Sequence, residues 1–423
     1  MSNSQAQAAL ETEASAWWTR PDLHYAQDHL ALAGQDLAKL AHAAGIPAFF
    51  YNAERVQTKL MQVDTALQST GLPHRIFYAM KANRFAPLLG FIRSTGLAGI
   101  DACSPQELQF ALSCGFQESD ISYTATSVSN ADLDVLARHP NVHINLDSLS
   151  SLRRLAARCP GRAIGLRVNP AQGVSYGDNA LLNYSGAKTT KFGIYREQWG
   201  EALQTVRELG LRLSAIHFHV GIGYQTAQLP LWEQIVQTCA GFIDDALAAD
   251  HPLERINLGG GLGLPHTEQD VLLDLTVWAS IIRRQLGPER FRARILQIAV
   301  EPGDFLVKDA GVLVLQANTV ERKRETTFVG LDGGFNLAME PAFYSLPCAP
   351  VPCLRREGST QTVTLAGNIN EALDIWARDV ALSPIEEGDY IALINAGGYA
   401  SAMSSNHCMR GQFYERLLFP SAS

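Results

Sequence analysis

The stretch Ile76-Phe77-Tyr78-Ala79-Met80-Lys81-Ala82 is a short apolar run that ends in a lysine. It belongs to a series of such runs between residues 47 and 300, with helix-like or polar segments between them. Near-continuous apolar runs with intervening helices are typical of parallel strands that helices cover. The other runs are AFFYN (48–52), GIDACS (99–104), ISYTA (121–125), VHINLDS (142–148), AIGLRVN (163–169), LSAIHFHVG (213–221), RINLGGG (255–261) and LQIAVEPG (296–303).

About eight strand–helix units in roughly 250 residues predict an α/β fold with a closed (β/α)8 barrel, and an open doubly wound sheet is the alternative. From Gly311 onward, strand-like runs follow one another without long helices. That pattern predicts an all-β domain. We therefore expect an N-terminal lead-in of residues 1–46 that packs in part with the β domain, a barrel of residues 47–300 and a C-terminal β domain of residues 301–423.

The composition excludes several classes of protein. The chain of 423 residues has a formal net charge of -8, so it has no basic surplus for binding nucleic acid. Its 7 cysteines form no CxxC pair, which favours reduced thiols over a disulfide framework or a zinc ribbon. The polar N-terminus lacks the features of a signal peptide, and no apolar segment is long enough to span a bilayer. We expect a soluble, cytoplasmic protein with no membrane partner.

Two kinds of side chain at strand ends suggest chemistry. Lys81 follows a barrel strand and would face the site, where burial can lower the pKa of its amine, as imine chemistry requires. A lysine that reaches solvent is the alternative. His217 and His219 lie on the same side of one strand and could stack on a cofactor or bind a metal, although core histidines are the simpler interpretation. No third ligand with zinc-like spacing supports a metal site.

Three further segments are compatible with a cofactor site. The glycines at 259–261 follow a strand and expose backbone N–H groups that suit a phosphate, and they do not form the dinucleotide-binding fingerprint. Glu301 ends a buried strand and needs a partner, either a protonated ring nitrogen or a salt bridge. The segments GNINEALD (367–374) and NAGGY (395–399) are equally compatible with simple turns.

Taken in order, these segments resemble the fold-type III pyridoxal-phosphate decarboxylases of the diaminopimelate and ornithine decarboxylase family, whose barrel alanine racemases share. The resemblance covers residues 47–410, which is most of the chain. Seven motifs in one order are far more specific than any one of them. They are FYAMKAN (77–83), GIDACSPQEL (99–108), KFGI (191–194), HFHVG (217–221), GGGLG (259–263), EPG (301–303) and NAGGY (395–399).

The resemblance implies that pyridoxal 5′-phosphate is the cofactor, that no metal takes part and that an α-amino acid loses its carboxylate. It implies that Lys81 holds the cofactor as a Schiff base, that His219 stacks on the pyridine ring and that Glu301 pairs with the ring nitrogen. It also implies a homodimer with active sites at the subunit interface, where β-domain motifs of one chain complete the site of the other. The other implied cofactor-binding residues are Asp101, Gly259, Gly260, Gly261 and Tyr399.

Three residues depart from the family pattern. Asn370 stands where the family has a cysteine that reprotonates or positions the intermediate, and an asparagine cannot act as an acid. Asp304 and Glu340 stand where the family has arginines that hold the distal end of diaminopimelate. Two anions in place of two cations should repel a distal carboxylate by several kcal/mol, which argues against diaminopimelate itself. The implied substrate residues that are kept are Tyr344, Glu371 and Asp374.

Two substrate hypotheses remain besides diaminopimelate. The exchanged charges favour a basic diamino acid such as ornithine or lysine. The segments NINEALD and SSNHCMRG (404–411) resemble family members of siderophore pathways, which act on a citryl-amino acid. There Arg378 or Arg410 would hold the citryl carboxylates, and our hypothesis leans to this substrate. A fold-type III racemase, a cofactor-binding regulator without turnover and a metal-dependent hydrolase are the alternatives from other classes.

Overall fold

The computed structural model describes residues 16–291 and 294–420. The chain divides into two units, each with its own strands. The first unit comprises Gln57–Leu264 and Val271–Leu306. The second unit comprises the described residues up to Val56, Pro265–Asp270 and the described residues from Val307 onward.

The described residues before the barrel form a small antiparallel sheet, a helix, one further strand and a second helix. All of them belong to the second unit except for the second helix, which begins there and continues into the first unit after Val56. These elements are β1 (Leu23–Ala26), β2 (His29–Leu32), β3 (Gln35–Asp36), α1 (Leu37–Ala44), β4 (Ala48–Asn52) and α2 (Ala53–Gln68). The lead-in packs in part with strands of the β domain, since Leu23, Leu32 and Leu37 share a buried cluster with Val312 and Val314. The first residues of the predicted lead-in, 1–15, lie outside the described residues.

The first unit is a closed parallel barrel. Its strands are β5 (His74–Ala79), β6 (Ala98–Ala102), β7 (Ile121–Thr124), β8 (His143–Leu146), β9 (Ala163–Asn169), β11 (Arg212–His217), β12 (Arg255–Asn257) and β13 (Gln297–Val300). β13 pairs with β5, and β8 pairs with β9, so the ring closes. The short β10 (Ile194–Tyr195) pairs with β9 outside this ring. The predicted (β/α)8 barrel is confirmed, and the open sheet is ruled out.

Helices follow the barrel strands, and four of them begin at a residue whose side chain caps the helix. They are α3 (Ala86–Thr95), α4 (Pro105–Ser113), α5 (Asn130–Ala137), α6 (Leu149–Ala156), α7 (Arg196–Glu208), α8 (Leu229–Ala248), α9 (Leu275–Leu286) and α10 (Asp304–Val307). Ser104, Ser129, Ser148 and Asp274 each accept a backbone N–H in the first turn of their helix. These caps fix the residues at which the four helices begin, and therefore where the loops after the preceding strands end.

One strand of the predicted barrel belongs elsewhere. The run AFFYN forms β4, which pairs antiparallel with β14 (Gly311–Lys323) and parallel with β20 (Tyr414–Leu418) in the second unit. All five residues of β4 are buried, so the run shows no alternation that would distinguish it from a barrel strand. The expectation that it opens the barrel is wrong, because its partners lie far away in the sequence.

The second unit is a mixed β domain, as predicted for the C-terminal part of the chain. Its remaining elements are β15 (Thr326–Leu331), α11 (Glu340–Tyr344), β16 (Pro350–Pro352), β17 (Gln361–Ala366), β18 (Ile375–Leu382) and β19 (Tyr390–Leu393). The strand order in its main sheet is β16-β19-β14-β15-β17-β18. The described cysteines of both units are free thiols.

Candidate active site

Lys81 lies just beyond the end of β5, at the carboxyl end of the barrel. Its Nζ is 3.6 Å from Oδ2 of Asp101, whose side chain is 1% exposed at the end of β6. Burial alone would lower the pKa of Lys81, but the negative charges of Asp101 and Glu301 outweigh it and raise that pKa. The expected downward shift is therefore wrong for the protein as described, since two carboxylates favour the ammonium.

Glu301 follows β13 and is held by four side chains. Its Oε1 accepts hydrogen bonds from Asn257 Nδ2 at 2.7 Å, Ser122 Oγ at 3.2 Å and Thr124 Oγ1 at 3.4 Å, and its Oε2 accepts one from His217 Nε2 at 2.9 Å. Burial opposes ionisation, but His217 and the other donors outweigh it and lower the pKa of Glu301 to about 2. The carboxylate is thus anionic at neutral pH, and Oε2 keeps capacity for another donor.

The two histidines of β11 differ in their roles. His217 is fully buried, and burial lowers its pKa despite the neighbouring Glu301, so a neutral ring donates its Nε2–H to the carboxylate. His219 lies beyond the strand end, and burial together with Arg167 and Lys81 lowers its pKa well below the usual range. Its ring centroid is 4.6 Å from that of Tyr184. His219 therefore presents an uncharged flat ring at the mouth of the barrel.

The glycines after β12 lie against their neighbours without room for side chains. A Cβ on Gly260 would lie 2.3 Å from the carbonyl oxygen of Glu301, and one on Gly259 would lie 2.6 Å from that of Phe218. Gly261 has a φ of 96°, a conformation that L side chains rarely adopt. The backbone N–H of Gly260 points to Nδ1 of His219 at 3.3 Å, so the loop, His219 and Glu301 lie together.

Arg167 is a site residue that the sequence analysis missed. It lies inside the buried strand β9, is 6% exposed, and its guanidinium is 4.5 Å from the centroid of Phe192. Burial lowers its pKa, opposed by Asp147 and Glu301. Nη2 of Arg167 is buried without a hydrogen-bond partner among the described residues. The same is true of both carboxylate oxygens of Asp101. The signal was available, because an arginine within a buried strand needs a partner.

Two residues of the GIDACSPQEL motif act on the backbone rather than on the site. Ser104 caps α4 by accepting the N–H of Glu107 at 3.1 Å. Glu107 in turn accepts the N–H of Cys103 at 2.8 Å and its thiol at 3.1 Å. Burial, with Glu107, raises the pKa of Cys103 to about 12, so this thiol is protonated.

Asp374 has a structural role in the second unit. It is 3% exposed and accepts the backbone N–H groups of Phe335 at 2.7 Å and Ile369 at 2.6 Å. Cβ atoms on Gly334 or Gly367 would lie within 2.5 Å of its carboxylate. The predicted substrate residue Asp374 therefore ties together the loop that carries Asn370 and Glu371, both of which are exposed.

Glu340 does not present a free negative charge. Its Oε2 is 2.5 Å from Nζ of Lys308, whose side chain is 2% exposed. Both residues line a small cavity of about 30 Å³ with His266 and Asn395. Burial and Lys308 lower the pKa of His266 to about 3. The sequence analysis treated Glu340 as a negative charge without a partner. The ion pair with Lys308 compensates that charge.

The structure also places the remaining predicted residues within their units. Asp304 begins α10, and Tyr344 ends α11. Tyr399 follows β19 in a left-handed conformation with a φ of 52°. Arg378 is exposed on β18, and Arg410 is exposed near the C-terminus. The parts that these residues play toward cofactor and substrate stay predictions.

Residues 16–291 and 294–420 contain neither a metal-binding cluster nor a membrane-spanning helix. Within these ranges, no three or more His, Cys, Asp or Glu side chains cluster in a way that could hold a metal ion. None of the helices in this part of the chain combines the length and apolarity that crossing a bilayer demands.

Comparison with known families and proteins identifies close resemblances. Residues 53–308 match the family model described as the pyridoxal-binding domain of pyridoxal-dependent decarboxylases. The diaminopimelate decarboxylase of Methanothermobacter thermautotrophicus is 32% identical over 398 residues, which are 92% of this chain and 90% of the relative. The Escherichia coli K12 diaminopimelate decarboxylase is 28% identical over 399 residues, with 90% of each chain covered.

Solved structures share the fold. A diaminopimelate decarboxylase of M. jannaschii in complex with L-lysine aligns with a TM-score of 0.86 at 22% identity, covering 94% of this chain and 93% of that one. The arginine decarboxylase of Paramecium bursaria Chlorella virus aligns with a TM-score of 0.78 at 18% identity, covering 90% and 98%. The same fold thus occurs in decarboxylases that are named for different substrates.

Proposed function

Because the chain belongs to the family of pyridoxal-dependent decarboxylases, we propose that its substrate is an α-amino acid whose distal end carries carboxylate. The chain is a carboxy-lyase that uses pyridoxal 5′-phosphate. Diaminopimelate, the substrate in its relatives' names, is the first candidate. This replaces our lean toward a citryl-amino acid, which becomes the second candidate.

The residues of the barrel fit the cofactor. Buried polar groups without partners are expected where a further charged group completes a site, and Asp101 and Nη2 of Arg167 are such groups. The tightly packed glycine loop at 259–261 has no side chains to keep a phosphate away, and the N–H groups of Gly259 and Gly260 donate to Asn257 and His219 in the described protein. Lys81 lies beside Asp101 within the same strand ends. These features support Lys81, Asp101, Arg167 and the loop as the holding residues.

The cofactor, when bound, supplies an aldehyde for an amine and a pyridine ring that withdraws electrons from the bond to the leaving carboxylate. Glu301 keeps its negative charge and offers Oε2 to a ring N–H, which favours the protonated ring. His217 fixes the orientation of that carboxylate from the opposite side. His219 offers a neutral face for stacking, because a cationic ring would compete with a protonated pyridine.

The ion pair between Lys308 and Glu340 weakens the charge argument against a distal carboxylate. The family resemblance assigns position 340 to recognition of the distal end. With the carboxylate of Glu340 neutralised by a buried lysine, the repulsion expected from two anions falls to that of Asp304 alone. For the same reason, a cationic distal end, as in ornithine or lysine, loses its attraction to Glu340.

A citryl-amino acid is favoured by a different observation. Arg378 and Arg410 are exposed, and neither guanidinium has a carboxylate partner among the described residues of the second unit. Two free guanidinium groups suit a ligand with several carboxylates. At position 370 this chain has an asparagine where the resemblance predicts the cysteine of the family. This difference also distinguishes the chain from diaminopimelate decarboxylases.

The test is a substrate panel with purified holoenzyme, scored by the initial rate of CO2 release. The panel contains meso-diaminopimelate, citryl-diaminopropionate, citryl-serine, L-ornithine and L-lysine at equal concentration. We expect a distal-carboxylate substrate to react at least about tenfold faster than either basic amino acid, the effect of about 1.4 kcal/mol in the barrier. Lys81→Ala protein is the control and should release no CO2. Preference for ornithine or lysine would overturn the proposal.

We also propose that the protein works in the cytoplasm as a homodimer with shared sites. The support is the family resemblance, which assigns the exposed segment around Asn370 and Glu371 to the partner's site. Exposed apolar side chains in that part of the second unit fit an interface, including Phe343 at 54% and Leu373 at 48% exposure.

A further inference from the structure

The barrel contains a second cavity, at the amino ends of its strands and thus opposite to the site above. It has a volume of about 410 Å³. Gly165 and Ala215 lie side by side in its wall on β9 and β11, and Arg255 on β12 pairs with Ala215. A Cβ on Gly165 would lie 2.1 Å from Oδ1 of Asn145. Glycine at 165 is therefore required by the close packing of Asn145, while the short side chain of Ala215 lines the cavity beside it.

Arg255 projects into this cavity with most of its donors unused. It alternates with Ile256, so it shares the inner side of β12 with Asn257. Its Nε donates to Oε1 of Gln297 at 2.7 Å. Its terminal nitrogens have no hydrogen-bond or carboxylate partner within residues 16–291 and 294–420. Burial lowers the pKa of Arg255, and Arg75 adds to that shift, while the negative charges of Glu254 and Glu301 oppose it. Neither carboxylate forms an ion pair with Arg255 among the described residues.

The other charged groups around the cavity are already paired. Arg75 contacts Asp120 at 2.5 Å, and Arg212 forms an ion pair with Glu254. These two pairs leave no net charge.

His143 adds no charge to the cavity either. Its Nε2 donates to the carbonyl of Ser119 at 3.2 Å, and burial, with Arg255 and Arg75, lowers its pKa to about 4. Arg255 is therefore the charged side chain of the cavity wall that has no ion-pair partner among the described residues, and a neutral imidazole, Asn145 and Ser122 provide polar surface around it.

The geometry points to a binding site for a compact anion with two or more oxygen atoms, held by Arg255 inside the amino end of the barrel. A guanidinium that offers its forked nitrogens suits the paired oxygens of phosphate or carboxylate. The volume admits either inorganic phosphate or a small dicarboxylate. Ser122 and Asn257 line the cavity and also donate to Glu301, so the bound anion lies one layer of side chains beneath the catalytic carboxylate.

Calorimetric titration of the holoenzyme tests this site, with inorganic phosphate in one arm and succinate in the other. The holoenzyme is used because its own cofactor occupies the phosphate loop. Arg255→Gln should weaken binding by at least about tenfold, the loss of one charge-assisted hydrogen bond. Arg153→Gln, which removes an exposed arginine paired with Glu201, is the matched control and should bind as the wild type does.

A second variant tests the contribution of the cavity volume separately from that of the charge of Arg255. Ala215→Leu fills the space and leaves Arg255 in place, so it should also weaken binding at least about tenfold. Melting curves of each variant establish that it is folded. Saturable binding that is lost in either folded cavity variant and kept in Arg153→Gln supports the site, and the tighter arm identifies the ligand. No saturable binding of either anion, or wild-type affinity in folded Arg255→Gln, overturns it.

Discussion

The charge on Glu301 depends on neighbours that three different strands contribute. Asn257 and Ser122 donate to one oxygen, and His217 donates to the other. Glu301→Gln keeps the shape and removes the charge, so the variant should hold the cofactor but lose the ion pair with a protonated ring. We expect kcat to fall roughly 100-fold, as for other lost electrostatic groups.

The measurement is the CO2 release rate of Glu301→Gln holoenzyme, with cofactor content checked by absorbance. Glu201→Gln is the control, because Glu201 is 59% exposed and pairs only with Arg153. Full turnover by Glu301→Gln, with the control equally active, would show that the ring nitrogen needs no anionic partner in this protein.

Single residues were predictable from sequence where a strand end or a motif marked them. Lys81 and Glu301 both follow apolar runs, and the structure brings them close enough for Glu301 to influence the pKa of Lys81. Arg167 and Asn257 were missed because they lie within strands, where a polar residue looks like an irregular core position. The neutralisation of Glu340 by Lys308 was not predictable, since 32 residues separate them along the chain.

At the scale of elements, the glycine loop after β12 is the most tightly constrained segment of the site. Gly260→Ala places a Cβ against the backbone of Glu301, and the loop must move because a carbonyl cannot rotate away. Losing one backbone hydrogen bond to a charged phosphate costs about 1.5–3 kcal/mol. We expect roughly tenfold to hundredfold weaker cofactor binding, measured by reconstitution of the apoprotein.

Gly200→Ala is the matched control for this substitution. Gly200 lies in α7, and no heavy atom lies within 4 Å of the position that its Cβ would take. Alanine should leave cofactor affinity unchanged and stabilise the helix by up to about 1 kcal/mol. If Gly260→Ala binds the cofactor as tightly as this control does, the close packing of the loop has no role in holding the phosphate.

Strand β4 shows what an element's sequence leaves open. Its five buried residues predicted a strand, and a strand forms. Its neighbours were predicted wrongly, because hydrogen-bond partners are chosen over hundreds of residues and both kinds of sheet bury a strand on two faces. The barrel strands were assigned correctly because helices alternate with most of them along the chain, and β–α alternation is a local signal.

At the scale of the whole molecule, the fold leaves the substrate open. The chain aligns over more than nine-tenths of its length with a diaminopimelate decarboxylase and over 90% with an arginine decarboxylase. The fold alone therefore does not set specificity, and the proposed homodimer would draw site residues from each protomer.

A complementation experiment tests that arrangement. Lys81→Ala removes the amine that we propose holds the cofactor, and Glu371→Ala alters the exposed loop that the resemblance assigns to the partner's site. If sites are shared, a mixed dimer concentrates both defects in one site and leaves the other intact. Random mixing of two inactive variants should then restore about one quarter of the wild-type activity, because half of the dimers are mixed.

The same logic defines a matched control. Lys81→Ala mixed with Glu301→Gln places one defect in each barrel, so every site remains defective whichever chain supplies the loop. Activity should appear in the first mixture and stay absent in the second. Differently tagged chains allow the mixed dimers to be isolated and counted. If isolated mixed dimers of Lys81→Ala and Glu371→Ala stay inactive, each chain builds its site alone, and Glu371 acts within its own protomer.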